Sequence, residues 1–347
     1  MRKLFYIRDF DVSGVGFNAL NKSRKDLQQI YESLSFQRLD GKDLTLQDEK
    51  FQNLRKNSKA LSGYVDSLLD RIDALCSPGD FLFMDFPFAI KFLGFSKLVS
   101  YAREKKVKVV FFIHDLDGIR FRNTFLNALD STCLDMAYSL ISASKEMNKV
   151  LKESLRISSR PKIVEYEYWD YLAKDIRNTK KKALLCFAGN LSKSTFLSQL
   201  PPSLVDRGIF LYGKGMQNNY LGSYQGEFDD DQIVQEIDGL FGLVWDGNSA
   251  KSCSGNFGTY LRINASHKFS LYVAAGKPVI VWKESALAKV VQAKKIGIAV
   301  SSLDEIPYRI SSLSLAEYEK MEENTLHLRT DLITGNHLKK VILSATD

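Results

Sequence analysis

Val107-Lys-Val-Val-Phe-Phe-Ile113 is an apolar run that ends on His114-Asp-Leu-Asp117. Its β-branched and aromatic residues read as a strand. The run suits the centre of a parallel sheet, where helices cover both faces. Polar residues at its carboxyl end stand where open parallel sheets hold their ligands. The same reading extends outward in both directions. Strands are expected at Leu4–Ile7, Phe36–Leu39, Phe81–Asp85, Tyr138–Ser142 and Ile163–Tyr166. Helices fall between them, at about Phe17–Leu34, Asp48–Leu75, Phe92–Glu104, Arg120–Met136 and Lys145–Leu155. Pro78-Gly79 ends the second of these.

After the basic stretch Lys174–Lys182 the pattern begins again. Strands are expected at Ala183–Ala188, Ile209–Tyr212, Phe241–Trp245, Pro278–Trp282 and Ile298–Val300. Leu315–His327 is the last well-patterned helix, and the residues after it are polar and weakly patterned. Alternating strands and helices give an α/β fold with parallel sheets. The 347 residues are too many for one core and comfortable for two. The halves are placed at residues 1–165 and 166–330, with 331–347 as a tail or a helix returning to the first half.

Composition narrows the function classes. Hydrophobic residues are 45% and charged residues 26%, an ordinary globular balance. Net charge is 48 − 41 = +7. That excess suits an anionic ligand, an acidic membrane surface or solvated lysine-rich helices. No arginine-rich tract or RNA-binding signature is present, so nucleic acid is not an expected partner. Cys76, Cys133, Cys186 and Cys253 are scattered, with no CxxC pair or Cys/His cluster. Neither a zinc site nor a disulfide framework is indicated, and a reducing cytoplasm fits. The N-terminal MRKLFYIRDFD is broken by Arg8 and Asp9 and reads as a strand. No apolar run is long enough to span a bilayer.

Several loops after strands carry candidate chemistry. Gly14 and Gly16, in Ser13-Gly-Val-Gly16, stand between the first strand and a helix, where backbone can approach an anion. No GxxxxGK[ST] occurs, which excludes a P-loop. Asn264-Ala-Ser-His-Lys268 precedes a helix expected to be capped by Asn264 and to run to Ala275, with Gly276 at its stop. Lys268 then lies in the first turn, where a cation is disfavoured unless an anion neutralises it. A pyrophosphate is one such anion. His267 is a ligand or a structural histidine. Asp246 ends a buried strand at Leu243-Val-Trp-Asp-Gly247, to hold a ribose hydroxyl or to organise the loop. The Ser/Gly-rich loop 248–258 behind it is a closing loop or an inert one. Gly189-Asn190-Leu-Ser-Lys193 has the look of a nucleotide-facing turn, and Tyr260 joins the candidate donor contacts. His114 and Asp115 are candidates for a general base, and strand alternation directs them to opposite sides. Tyr168–Tyr171 offers aromatics for stacking on a ligand or for packing. Asp229-Asp-Asp231 precedes a helix, and N-capping accounts for it better than metal binding.

Five segments together resemble one family: His114-Asp-Leu-Asp-Gly-Ile-Arg120, Trp169-Asp-Tyr171, Ala188-Gly-Asn-Leu-Ser-Lys193, Gly242-Leu-Val-Trp-Asp-Gly247 and Asn264-Ala-Ser-His-Lys-Phe-Ser270. Their order and spacing are similar to bacterial sugar transferases related to the glucosyltransferase that adds the second sugar to serine-rich streptococcal adhesins. Galactofuranosyltransferases of polysaccharide synthesis are similar too. The resemblance spans nearly the whole chain. It implies a GT-B architecture, two Rossmann-like domains with parallel sheets facing across a cleft. It also implies a UDP-sugar donor bound mainly by the C-terminal half, a metal-independent reaction with no cofactor, and a homo-oligomer. Asn264 and Lys268 match the donor-binding segment, and Gly16 matches the first N-terminal loop. Two departures stand out. Ala265 occupies a place where that family carries proline, and the N-terminal loop has two glycines and no threonine.

The expected activity is transfer of glucose, galactose or galactofuranose from UDP to a hydroxyl of a glycan, glycoprotein or lipid-linked saccharide. The lipid-linked case allows a peripheral contact with the inner face of a membrane. Two other classes fit the same residues: an inactive nucleotide-binding partner of a transferase complex, and a nucleotide-sugar epimerase.

Overall fold

The computed structural model describes residues 2–7, 19–39, 58–87 and 95–347. The chain divides into two compact units. The first comprises 1–16, 24–166 and 338–347, and the second comprises 17–23 and 167–337.

The first unit holds six parallel strands: β1 (Leu4–Ile7), β2 (Gln37–Arg38), β3 (Phe81–Phe86), β4 (Lys108–Ile113), β5 (Ser139–Ser142) and β6 (Lys162–Glu165). Their order across the sheet is β2-β1-β3-β4-β5-β6. Strand β4 is central and buried from Val109 to Ile113, as its apolar run requires. It pairs with β3 in the register Phe86↔Ile113, which brings the carboxyl ends of the two strands side by side.

The second unit holds β7 (Leu185–Ala188), β8 (Ile209–Tyr212), β9 (Ser223–Gly226), β10 (Phe241–Val244), β11 (Val279–Trp282) and β12 (Gly297–Val300). The order is β12-β11-β10-β7-β8-β9, all parallel. Counted from β7, this is the 3-2-1-4-5-6 order of dinucleotide-binding sheets. The connections reverse direction between β7 and β10, and ligands bind beyond the carboxyl ends of the strands at such a switch point. The core beneath includes Trp245 and Trp282, both at most 2% exposed, among Phe187, Phe196, Leu211 and Ile280. Each large aromatic removes on the order of 150–250 Å² from water, so this core anchors the strands firmly.

The helix His267–Ala274 lies on this sheet and is buried from Phe269 through Ala274. Gly242 on β10 makes the approach possible. A Cβ there would fall 2.1 Å from Cγ of Tyr272, so the helix rests directly on the strand backbone.

The structure departs from the sequence reading at three places. The helix begins at His267 with Ser266 at its N-cap, and not at Asn264. The reason is local: the Asn264 N–H donates to the Tyr260 carbonyl at 3.1 Å, so Asn264 closes the preceding helical turn. Ser223–Gly226 is an additional strand, polar and at the sheet edge. The helix expected from Arg120 to Met136 is two pieces, Asp117–Arg120 and Thr124–Leu134, with Asn123 capping the second through the Leu126 N–H. The weakly patterned end of the chain forms a helix, Asn336–Ser344, that buries Leu338, Val341 and Ile342. Its C-terminal end joins the first unit, where Lys162 Nζ donates to the Ser344 carbonyl.

Candidate active site

Three segments converge at the switch point of the second unit. Gly189 follows β7, Asp246 follows β10, and Lys268 sits in the first turn of the helix His267–Ala274. Lys268 Nζ donates to both carboxylate oxygens of Asp246, each at 2.8 Å. The anion that a first-turn lysine requires is supplied here by the protein itself. The ammonium lies 5.4 Å from the Phe187 ring centroid. A Cβ on residue 189 would come within 3.1 Å of Lys268 Cε, so glycine there leaves room for the lysine stem. One turn further along the helix, Tyr272 Oη accepts the Ala188 N–H at 2.8 Å and ties the helix to the β7 end. Burial pushes the Tyr272 hydroxyl pKa well up, so it stays protonated.

The other donor-contact candidates take different roles. Asn190 caps the short turn that follows β7, accepting the Ser192 N–H at 3.1 Å. Lys193 Nζ is 4.8 Å from the Phe257 ring centroid. Tyr260 is buried and ends the helix Gly255–Tyr260. His267 packs against the rings of Tyr171 and Trp169, at 5.2 and 6.1 Å between centroids. Those aromatics serve packing within the second unit: Trp169 O accepts the Ser270 hydroxyl, and the Tyr171 hydroxyl donates to Asp230 O. Asp229 caps its own turn, accepting the N–H groups of Asp231 and Gln232. Gly14 and Gly16 lie outside the described residues.

In the first unit His114 and Asp115 part company at the end of β4. The His114 side chain is 2% exposed, with Nε2 3.2 Å from Asp85 Oδ1. Arg24 stands on the other oxygen of Asp85 at 3.9 Å and donates to the Pro87 carbonyl at 2.9 Å. Sequence reading missed Asp85 and Arg24 as members of this cluster. Asp85 did carry a signal, a carboxylate at the end of a buried strand. Asp115 is more open, 19% exposed, and binds Arg120 at 2.7 Å.

Burial lowers the His114 pKa, with Arg24 adding to the effect and Asp85 opposing it. A depressed histidine pKa means that the unfolded chain takes the proton more readily. The stabilisation is therefore complete above the ordinary value of 6.5 and lost as pH falls below it. Urea melts between pH 7.5 and 5.5 are expected to show this loss in the wild type, and a shallower one in His114→Gln.

Among the described residues, no group of three His, Cys, Asp or Glu side chains is placed to hold a metal ion, and no helix is long and apolar enough to cross a membrane.

Two parallel six-stranded sheets, the second with an ion pair at the switch point of its strand order, are the architecture of the GT-B fold. Residues 6–155 match the family described as "Glucosyltransferase 3-like, N-terminal domain", and residues 185–345 match "Glucosyltransferase 3-like, C-terminal domain". The chain belongs to this glucosyltransferase 3-like family and is a glycosyltransferase. It is 30% identical to the beta-1,6-galactofuranosyltransferase WbbI of Escherichia coli K12, over 99% of this chain and 98% of that protein. It is 26% identical to glucosyltransferase 3 of Streptococcus gordonii, over 71% of this chain and 73% of that one. In fold it is similar to an E. coli trehalose-6-phosphate structure bound with UDP-2-fluoro glucose, with TM-score 0.61 and 12% identity over 99% of this chain and 98% of that one.

Proposed function

We propose that the second unit binds the UDP moiety of a UDP-hexose at the carboxyl ends of β7 and β10. The observation that carries this is the convergence of Gly189, Asp246 and Lys268 at the switch point of a 3-2-1-4-5-6 sheet. The diphosphate meets Lys268 and the first turn of its helix, where backbone N–H groups and the dipole favour an anion. Asn264 and Tyr260, which precede that helix in the sequence, are assigned to the same site as further donor contacts. The hexose is glucose or galactose, in pyranose or furanose form, and the acceptor is a hydroxyl of a saccharide carried on a glycan, protein or lipid.

In the reaction the acceptor oxygen bonds to the anomeric carbon, and the bond from that carbon to the diphosphate oxygen breaks. The diphosphate leaves with the electron pair. Lys268 stabilises the charge that grows on it, a role that needs no metal. The acceptor proton goes to a carboxylate in the first unit. Asp115 is the assigned base, because His114 is enclosed by Asp85 and Arg24 while Asp115 keeps a partly open face. Release of UDP from UDP-glucose, UDP-galactose or UDP-galactofuranose, in the presence of a saccharide acceptor and EDTA, is the expected result. Conversion of the donor to an isomer without UDP release would replace transfer by epimerisation.

A further inference from the structure

The Lys268–Asp246 pair raises a question of selectivity. A lysine in a helix's first turn is an indiscriminate phosphate receptor. Here its ammonium already has a carboxylate on it in two-oxygen contact, with both side chains about four-fifths covered at 17% and 22% exposure. Phe187 flanks the ammonium and Gly189 its stem. The lysine is thus held in place with its charge balanced.

We propose that Asp246 is the selectivity residue of this site: it balances Lys268 when no donor is bound, and so admits a diphosphate ligand while rejecting inorganic phosphate and nucleoside monophosphates. The proposal rests on the donor-site reading given above. The physical reason is the competition between one attraction and one repulsion. A single phosphate arriving at Lys268 meets the lysine and the nearby Asp246 charge together, and the two nearly cancel. A nucleoside diphosphate spreads its charge over two phosphates and adds contacts of its base and ribose, so it tolerates the carboxylate. After transfer, Asp246 recaptures Lys268 and assists departure of the diphosphate product. Asp246→Asn keeps one of the two oxygens that accept from Lys268 Nζ and removes the charge. This separates a charge-balancing role from a purely geometric one.

The test is calorimetric titration of the full chain at fixed ionic strength with inorganic phosphate, UMP, uridine and UDP. In Asp246→Asn, inorganic phosphate and UMP are expected to bind at least tenfold tighter than in the wild type, with UDP gaining clearly less and uridine unchanged. The gain is expected to vanish in the double variant Asp246→Asn/Lys268→Ala. Phosphate affinity that is unchanged or weaker in Asp246→Asn overturns the proposal. So does uridine affinity that falls, since Asp246 would then be contacting the nucleoside. The wild-type UDP titration keeps the two readings apart. If the wild type binds UDP and the phosphate gain is absent, only the selectivity role fails. If the wild type binds no UDP, the donor reading fails and takes the proposal with it.

Discussion

Lys268→Ala is expected to lower turnover well over tenfold while the protein stays folded. The size follows from the chemistry of the leaving group. Removing one preorganised donor from a developing oxyanion lowers rates by roughly 10²–10³ in well-studied cases, and the proposed donor site puts the full charge of Lys268 on the departing diphosphate. The fold should survive because the helix is held by other groups. Phe269 through Ala274 are buried, and Tyr272 Oη accepts the Ala188 N–H. Asp246 loses its partner but keeps 22% of its side chain in water. With about a fifth of each side chain in water, the pair lies between a surface pair, worth about 1 kcal/mol or less, and a fully buried one, and a fall of a few degrees in Tm is expected. Turnover measured beside a thermal melt decides the matter: normal turnover, or a collapsed melting curve, removes Lys268 from its assigned role.

Asp115→Asn is expected to lower turnover by about 10²-fold or more, the usual range for loss of a general base. UDP affinity should not change, because the proposed role of Asp115 is toward the acceptor proton and that of Lys268 toward the diphosphate. Asparagine preserves the shape and an oxygen for Arg120, which holds Asp115 at 2.7 Å. The variant therefore tests proton acceptance and leaves packing intact. It also separates transfer from mere nucleotide binding. In an inactive partner protein, Asp115 would be replaceable without consequence while the Lys268 site still bound UDP. A pH–rate profile adds a second readout, since loss of the base removes the acid limb of the curve.

Much of this fold is legible in the amino-acid sequence, because parallel strands buried on both faces leave continuous apolar runs. Phe81–Phe86 and Lys108–Ile113 are such runs, and the structure places strands there. Edge strands leave no such mark. Ser223-Tyr-Gln-Gly226 is half-exposed and polar, and only its pairing with β8 makes it a strand. Asn264 shows another limit. Its side chain suits an N-cap, yet its N–H is taken by the Tyr260 carbonyl, and the helix starts three residues later. Residue chemistry indicates what a group prefers, and the competing local bond decides what it does.

The candidate site divides in the same way. Lys268 and Asp246 are recognisable singly, one from its place in a helix's first turn and the other from the end of a buried strand. Their pairing is not legible, because it depends on β10 lying beside β7 and on Gly242 letting the helix settle onto the sheet. His114 likewise stands out in the sequence, but the neighbours that enclose it do not. Asp85 reaches it only because β3 pairs with β4, and Arg24 arrives from a helix far earlier in the chain.

The account centres on a UDP site at the carboxyl ends of β7 and β10, and a thermal-shift screen tests it most directly. The wild type and Lys268→Ala are melted with UDP, GDP, CMP and ADP in EDTA. A ligand that binds only the folded state raises Tm in proportion to its affinity and concentration. Selective stabilisation of the wild type by UDP, lost in Lys268→Ala, is the predicted result. No shift with any nucleotide, or an equal UDP shift in both proteins, would contradict it.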